Sequence, residues 1–160
     1  PQLNGWHGDT NRTYLVGDVP IRARRLVETT FEAMMLGIEQ AKPGNHLGDI
    51  SHAIQVHAEK QRFGVVRDFC GHGLGRVFHA PPNVLHYGRP GTGAILEAGM
   101  FFTIEPMVNL GVPDWHVPRT GVVGMPHRRP ARPRVIAAPV TLPVATCRTT
   151  RQQSSGSCRR

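Results

Sequence analysis

Two stretches of the chain repeat their apolar positions at helical spacing. Val27, Phe31, Met34 and Ile38 recur at intervals of four, three and four, which predicts an amphipathic helix buried along that face. Pro20 suits the first turn, where its missing N–H costs nothing, and Lys42-Pro43-Gly44 stops the helix. Met34 and Met35 read as core filling. A second helix is predicted over about 47–62, with Leu47, Ile50, Ile54 and Ala58 as its buried stripe. His46, His52 and His57 lie along it. His52 and His57 are five apart, whereas residues sharing a helix face are three or four apart, so these histidines read as surface or boundary positions.

The remaining apolar runs are short and predict strands. Residues 13–16 are rich in β-formers and end at Gly17-Asp18. Asn4-Gly5 marks a turn, expected to close a hairpin whose first strand is missing upstream. Gly64 breaks the second helical pattern, and Val65-Val66 opens a strand towards Cys70. Residues 100–104 read as a buried strand that delivers Glu105 at its carboxyl end. The order strand, helix, helix, strand, loop, strand predicts an α+β fold.

Charge divides the chain. Residues 1–111 hold 10 Lys+Arg and 10 Asp+Glu, whereas 112–160 hold 9 arginines and one acid, Asp114. The entire net charge of +8 therefore sits in the last segment, which also has half of the prolines and no Glu, Lys, Phe or Tyr. The expected organisation is one domain over 1–111 and a basic Pro/Arg-rich tail over 112–160. That tail reads as disordered, as a nucleic-acid arm, or as translation in a shifted frame of a GC-rich gene. The third reading is preferred, with the consequence that the tail should build no sheet strand. The absence of interleaved aromatic residues weakens the nucleic-acid reading. Three cysteines without regular spacing fit a reducing compartment rather than a disulfide framework. No run of about eighteen apolar residues exists to span a membrane, and no signal peptide is visible.

The chemistry concentrates between Cys70 and Leu110. His72 lies between two glycines, followed by Gly75, His79, Pro81-Pro82 and Glu105. A histidine offers one neutral nitrogen to a metal and a glutamate offers two oxygens. Glycines beside the histidine would let a ligand or metal approach the backbone. Taken alone, one Gly-His-Gly reads as a turn. Cys70 could pair with His72 or His79 as a nucleophile, but packing as a small apolar residue at a strand end is preferred.

The string GHGLGRVFHAPPNVLHYG, followed by FFTIEPMVNLG, resembles the type I methionine aminopeptidases, and HGDTNRTYLVGD near the start matches them as well. Only 33 positions separate His72 from Glu105, which leaves no room for the inserted helical subdomain of the type II enzymes. The resemblance implies the pita-bread fold, an antiparallel sheet with helices on one face built from two similar halves. It implies a cytoplasmic enzyme that removes initiator methionine from nascent polypeptides, with the ribosome as a further partner and no membrane. Two divalent ions (Co, Mn, Fe or Zn) would activate a water for attack on the first peptide bond.

Residue by residue, Asp9 resembles a bridging carboxylate ligand, His72 the histidine ligand and Glu105 a further carboxylate ligand. His79 resembles the catalytic histidine that contacts substrate, and Phe78 a wall of the methionine pocket. His7 is taken as structural. The pattern also expects an aspartate ligand about ten residues before HGD and a glutamate in a later glutamine-aromatic-glutamate-histidine segment. No glutamate follows Glu105, and Thr120-Gly121-Val122 stands where Asp-Gly-Trp is expected. Three of five expected ligands remain, so this chain is expected to be impaired and to represent part of a longer gene product. The competing expectation is a non-catalytic RNA- or ribosome-binding protein on the same fold, using the basic tail.

Overall fold

A computed structural model describes residues 1–111 and the backbone of 136–137. Its elements in chain order are β1 (Gln2–Leu3), β2 (Trp6–His7), α1 (Ile21–Gln40), α2 (Leu47–Lys60), β3 (Gly64–Val65), β4 (Gly71–Gly73), β5 (Ala80–Val84), β6 (Val108–Asn109) and β7 (Ile136–Ala137). Among the described residues the strands form antiparallel groups, β1 with β2, β4 with β5, and β3-β6-β7. This is the α+β, partial pita-bread architecture that the resemblance implies.

Both predicted helices are present, but the buried face of α1 is not the expected one. Ala23, Leu26, Thr30, Ala33, Met34 and Gly37 are buried, while Phe31 is 46% and Met35 36% exposed. Val27 and Ile38 sit at the margin of the core. The cause is the closeness of α2. A Cβ at Gly37 would lie 2.7 Å from Ile54 Cδ1, so at that point the two helices approach too closely for any side chain. On α2 the expected stripe of Leu47, Ile50, Ile54 and Ala58 is fully buried. His46 precedes its first turn and donates its main-chain N–H to Asp49 Oδ2 at 2.7 Å. The N–H groups of His46 and then Gly91 hold the Asp49 carboxyl below its usual range. Ile50, Ile54, Met34 and Ala33 join Val84, Leu96, Phe102 and Ile104 in the main core, and Leu26, Ala58, Val65 and Val108 form a second cluster.

The strand expectations need more correction. Residues 13–16 form no strand, and Tyr14 and Val16 are exposed. The segment is too short to hold itself together without a partner. The turn at Asn4 (φ 51°) and Gly5 (φ 81°) does close a hairpin, but its first strand is Gln2–Leu3 within this chain. β3 stops at Val65 rather than running to Cys70, and Gly-His-Gly is strand β4 rather than a turn. Residues 100–104 form no regular ladder. They are nevertheless extended beside β4, with Thr103 N–H donating to the His72 carbonyl at 2.9 Å and Leu74 N–H to that of Phe101 at 3.0 Å.

The expectation that the tail builds no strand is also corrected, since Ile136–Ala137 pairs antiparallel with β6. The division at residue 111, Thr120-Gly121-Val122 and the frame of the tail otherwise lie outside the described residues. So do the arginines on which the RNA-binding expectation rests.

Candidate metal centre

Asp9, His72 and Glu105 reach one point from three separate segments. Each offers one ligand atom, and these atoms all lie within 4.8 Å of one another. Asp9 follows β2, which is fastened to the loop after β4. His7 donates both its main-chain N–H (2.9 Å) and its Nδ1–H (3.0 Å) to the Gly75 carbonyl. That supports the structural reading of His7. Glu105 is set by alternation along its extended segment. Phe102 and Ile104 point into the core, so Thr103 and Glu105 point to the opposite side, where His72 lies.

The glycines beside His72 serve a different purpose from the one expected. A Cβ at Gly71 would strike the Thr103 carbonyl, and one at Gly73 would strike that of Pro81. It is the chain's own backbone that approaches, on one side residues 101–103 and on the other β5. The absent side chains let β4 lie tightly between them, with His72 buried.

The electrostatics of the site follow from one hydrogen bond. His72 Nδ1 lies 3.0 Å from the Gly73 carbonyl, which can only accept, so Nδ1 carries a proton. In the neutral ring the other nitrogen, Nε2, then holds a lone pair. It faces Glu105 Oε1 at 3.4 Å and Asp9 Oδ2 at 3.6 Å, both acceptors as well. Three acceptors converge on one point, an arrangement that a bound cation would satisfy. Two carboxylate groups and one imidazole suit a first-row divalent ion.

Phe78 and His79 sit at the open side of this cluster. The His79 ring is exposed, with its centroid 4.4 Å from that of His72. Phe78 lies 5.5 Å from His72 and 5.7 Å from His7, centroid to centroid, and is 37% exposed. Cys70 stands just before β4, partly buried. Burial, and then the charge of Glu105, push its thiol above the usual range, which disfavours a thiolate nucleophile.

Sequence reasoning missed two residues that touch Glu105. Thr103 Oγ1 donates to Glu105 Oε1 at 2.6 Å. His86 Nε2 accepts the main-chain N–H of Glu105 at 3.1 Å, and burial pushes the His86 pKa down to about 3. The signal for Thr103 was its place two residues before Glu105 on an alternating segment. For His86, within LHY, the sequence offered no comparable signal.

The chain belongs to metallopeptidase family M24, whose model matches residues 1–129. No helix among the described residues is long and apolar enough to cross a membrane. Within the family it is similar to proteins named methionine aminopeptidase. It is 60% identical over 109 residues to that of Rickettsia prowazekii, covering 68% of this chain and 42% of the relative. It is 53% identical over 111 residues to methionine aminopeptidase A of Synechocystis, covering 69% and 44%. The crystal structure of the Rickettsia prowazekii enzyme superposes with a TM-score of 0.72 at 56% identity, over 74% of this chain and 48% of that one. The chain thus spans less than half the length of the relatives it matches.

Proposed function

We propose that this chain carries part of the active site of a methionine aminopeptidase, which removes initiator methionine from nascent polypeptides in the cytoplasm. The observation that supports this is the convergence of Asp9, His72 and Glu105 as three facing acceptors in a chain of a metallopeptidase family. In this reading the three side chains are metal ligands for a pair of divalent ions, Co, Mn, Fe or Zn. When bound, such a pair would activate water and polarise a peptide carbonyl.

The chain's own residues supply the rest. Buried His72 holds its lone pair towards the carboxylates because Gly73 fixes its tautomer. His79, exposed beside His72, would donate a hydrogen bond to the carbonyl oxygen of the scissile bond as negative charge develops there. Phe78 would wall the methionine side chain. The ribosome is proposed as the place where substrate is met.

With three of the five ligands that the resemblance implies, the 160-residue chain should cleave Met-peptides very poorly. The test is release of free methionine from a Met-Ala-Ser peptide with added cobalt or manganese, together with cobalt uptake. Cobalt uptake that is lost in His72→Ala supports the assignment. Robust release abolished by a chelator and by His79→Ala would overturn the impairment but keep the function. Robust release that survives both the chelator and His72→Ala would overturn the function itself.

A further inference from the structure

We propose that Thr103 is the positioning residue of this centre, using a single hydroxyl to fix the carboxylate of Glu105 relative to the strand of His72. The inference rests on the metal reading above.

Thr103 is fully buried. Its Oγ1 accepts the main-chain N–H of His72 at 3.0 Å and lies 2.6 Å from Glu105 Oε1. A hydroxyl has one proton and two lone pairs. The amide of His72 can only donate, so it takes a lone pair. An ionised carboxylate can only accept, so the proton goes to Glu105. The His72 carbonyl, 3.5 Å from Oγ1, is too far to compete for that proton. The distance of 2.6 Å lies in the range of charge-assisted O–H···O⁻ bonds, which are about twice as strong as neutral ones.

The terminal torsion of a glutamate is broad and soft. Without a partner, Glu105 would sample many orientations of its two oxygens. The Thr103 hydroxyl selects one, with Oε1 3.4 Å from His72 Nε2. Thr103 Oγ1 also accepts the main-chain N–H of His72, and Thr103 N–H holds the His72 carbonyl at 2.9 Å. The separation of the two candidate ligands is therefore set by hydrogen bonds to one residue, not by side-chain packing alone. Valine would fill the same space, yet it would leave the His72 amide without an acceptor and the carboxylate free to turn.

The experiment titrates the full chain with cobalt(II), following the visible absorption bands of the bound ion and the heat of binding. Thr103→Val should weaken cobalt affinity by about 10–100-fold and alter the absorption bands, as loss of a partner behind a metal ligand typically does. Thr103→Ser, which keeps the hydroxyl, should recover both. Wild-type affinity in Thr103→Val overturns the inference while leaving the metal reading intact. Equal cobalt uptake by wild type and His72→Ala overturns the metal reading, and this inference falls with it. Circular dichroism reports whether each variant folds. If Thr103→Val does not, the pair Thr103→Ser and Thr103→Ala decides, because both lose the methyl group and only one keeps the hydroxyl. Tighter cobalt binding by the serine variant supports the role, and equal binding refutes it.

Discussion

His86 accepts the main-chain N–H of Glu105 on its Nε2 at 3.1 Å, and only 1% of its surface is exposed. Pro106 follows Glu105, and Glu105 itself lies at the end of an irregular extended segment. Its amide has the imidazole as partner in place of a ladder carbonyl. Replacing His86 by leucine should leave a buried donor unpaired and cost about 1–3 kcal/mol. Glutamine, which can present an acceptor at similar reach, should recover part of that loss. Urea denaturation of the two variants beside the wild type measures the difference.

The same histidine sets a pH dependence. Burial holds its folded-state pKa at about 3, below the ordinary histidine value of 6.5 expected in the unfolded chain. Between these values the unfolded chain binds a proton that the folded chain does not. Stability from this group is therefore fully present above about pH 6.5 and falls as pH drops towards 3. Unfolding midpoints taken across that window should decline with acidity, and His86→Gln should flatten the decline.

Gly73→Ala should damage the site without touching a candidate ligand. The added methyl would meet the Pro81 carbonyl, which is backbone and cannot swing aside. β4 and β5 would have to separate at the bulge between His72 and Gly73. Loss of cobalt affinity together with a lower melting temperature is the expected result, and a variant with wild-type values for both would contradict it.

Met34→Ala and Met35→Ala should behave very differently. Met34 is fully buried in the main core, so its truncation should cost about 2–5 kcal/mol. Met35 is 36% exposed, and its truncation should stay near the small effects of surface changes, within about 0.5 kcal/mol. Chemical denaturation of both variants provides the check.

That pair also marks where the sequence was legible. α2 could be read because its stripe is made of large apolar residues at regular spacing, all four of which are buried. α1 could be placed but not oriented, because its buried face mixes the small residues Ala23, Ala33 and Gly37 with Leu26 and Met34. Hydrophobic periodicity gives weight to large side chains, whereas close helix packing selects small ones. The strands were poorly legible because several are only two residues long, and they are defined by partners distant in sequence.

Asp9, His72 and Glu105 were found through a motif resemblance, since no local pattern links segments so far apart. Thr103 and His86 are hydrogen-bonded to Glu105, and a one-dimensional reading does not show which hydroxyl or imidazole will lie behind a candidate ligand.

The distance between those segments has a consequence for the folding of the chain. β1 and β2 form a short hairpin with Leu3 and Trp6 largely exposed, and β2 is held to the loop after β4 by the Gly75 carbonyl, by Arg76 over the Trp6 ring and by Phe78 against His7. An ion bound by Asp9 together with His72 and Glu105 would act as a clip, closing two long loops of chain at once. Because such a clip exists only in the folded state, it would stabilise that state by mass action, about 2.7 kcal/mol at a hundredfold excess over the dissociation constant. The hairpin is then the part that a chelator should loosen first, and faster amide exchange at His7 would report its opening.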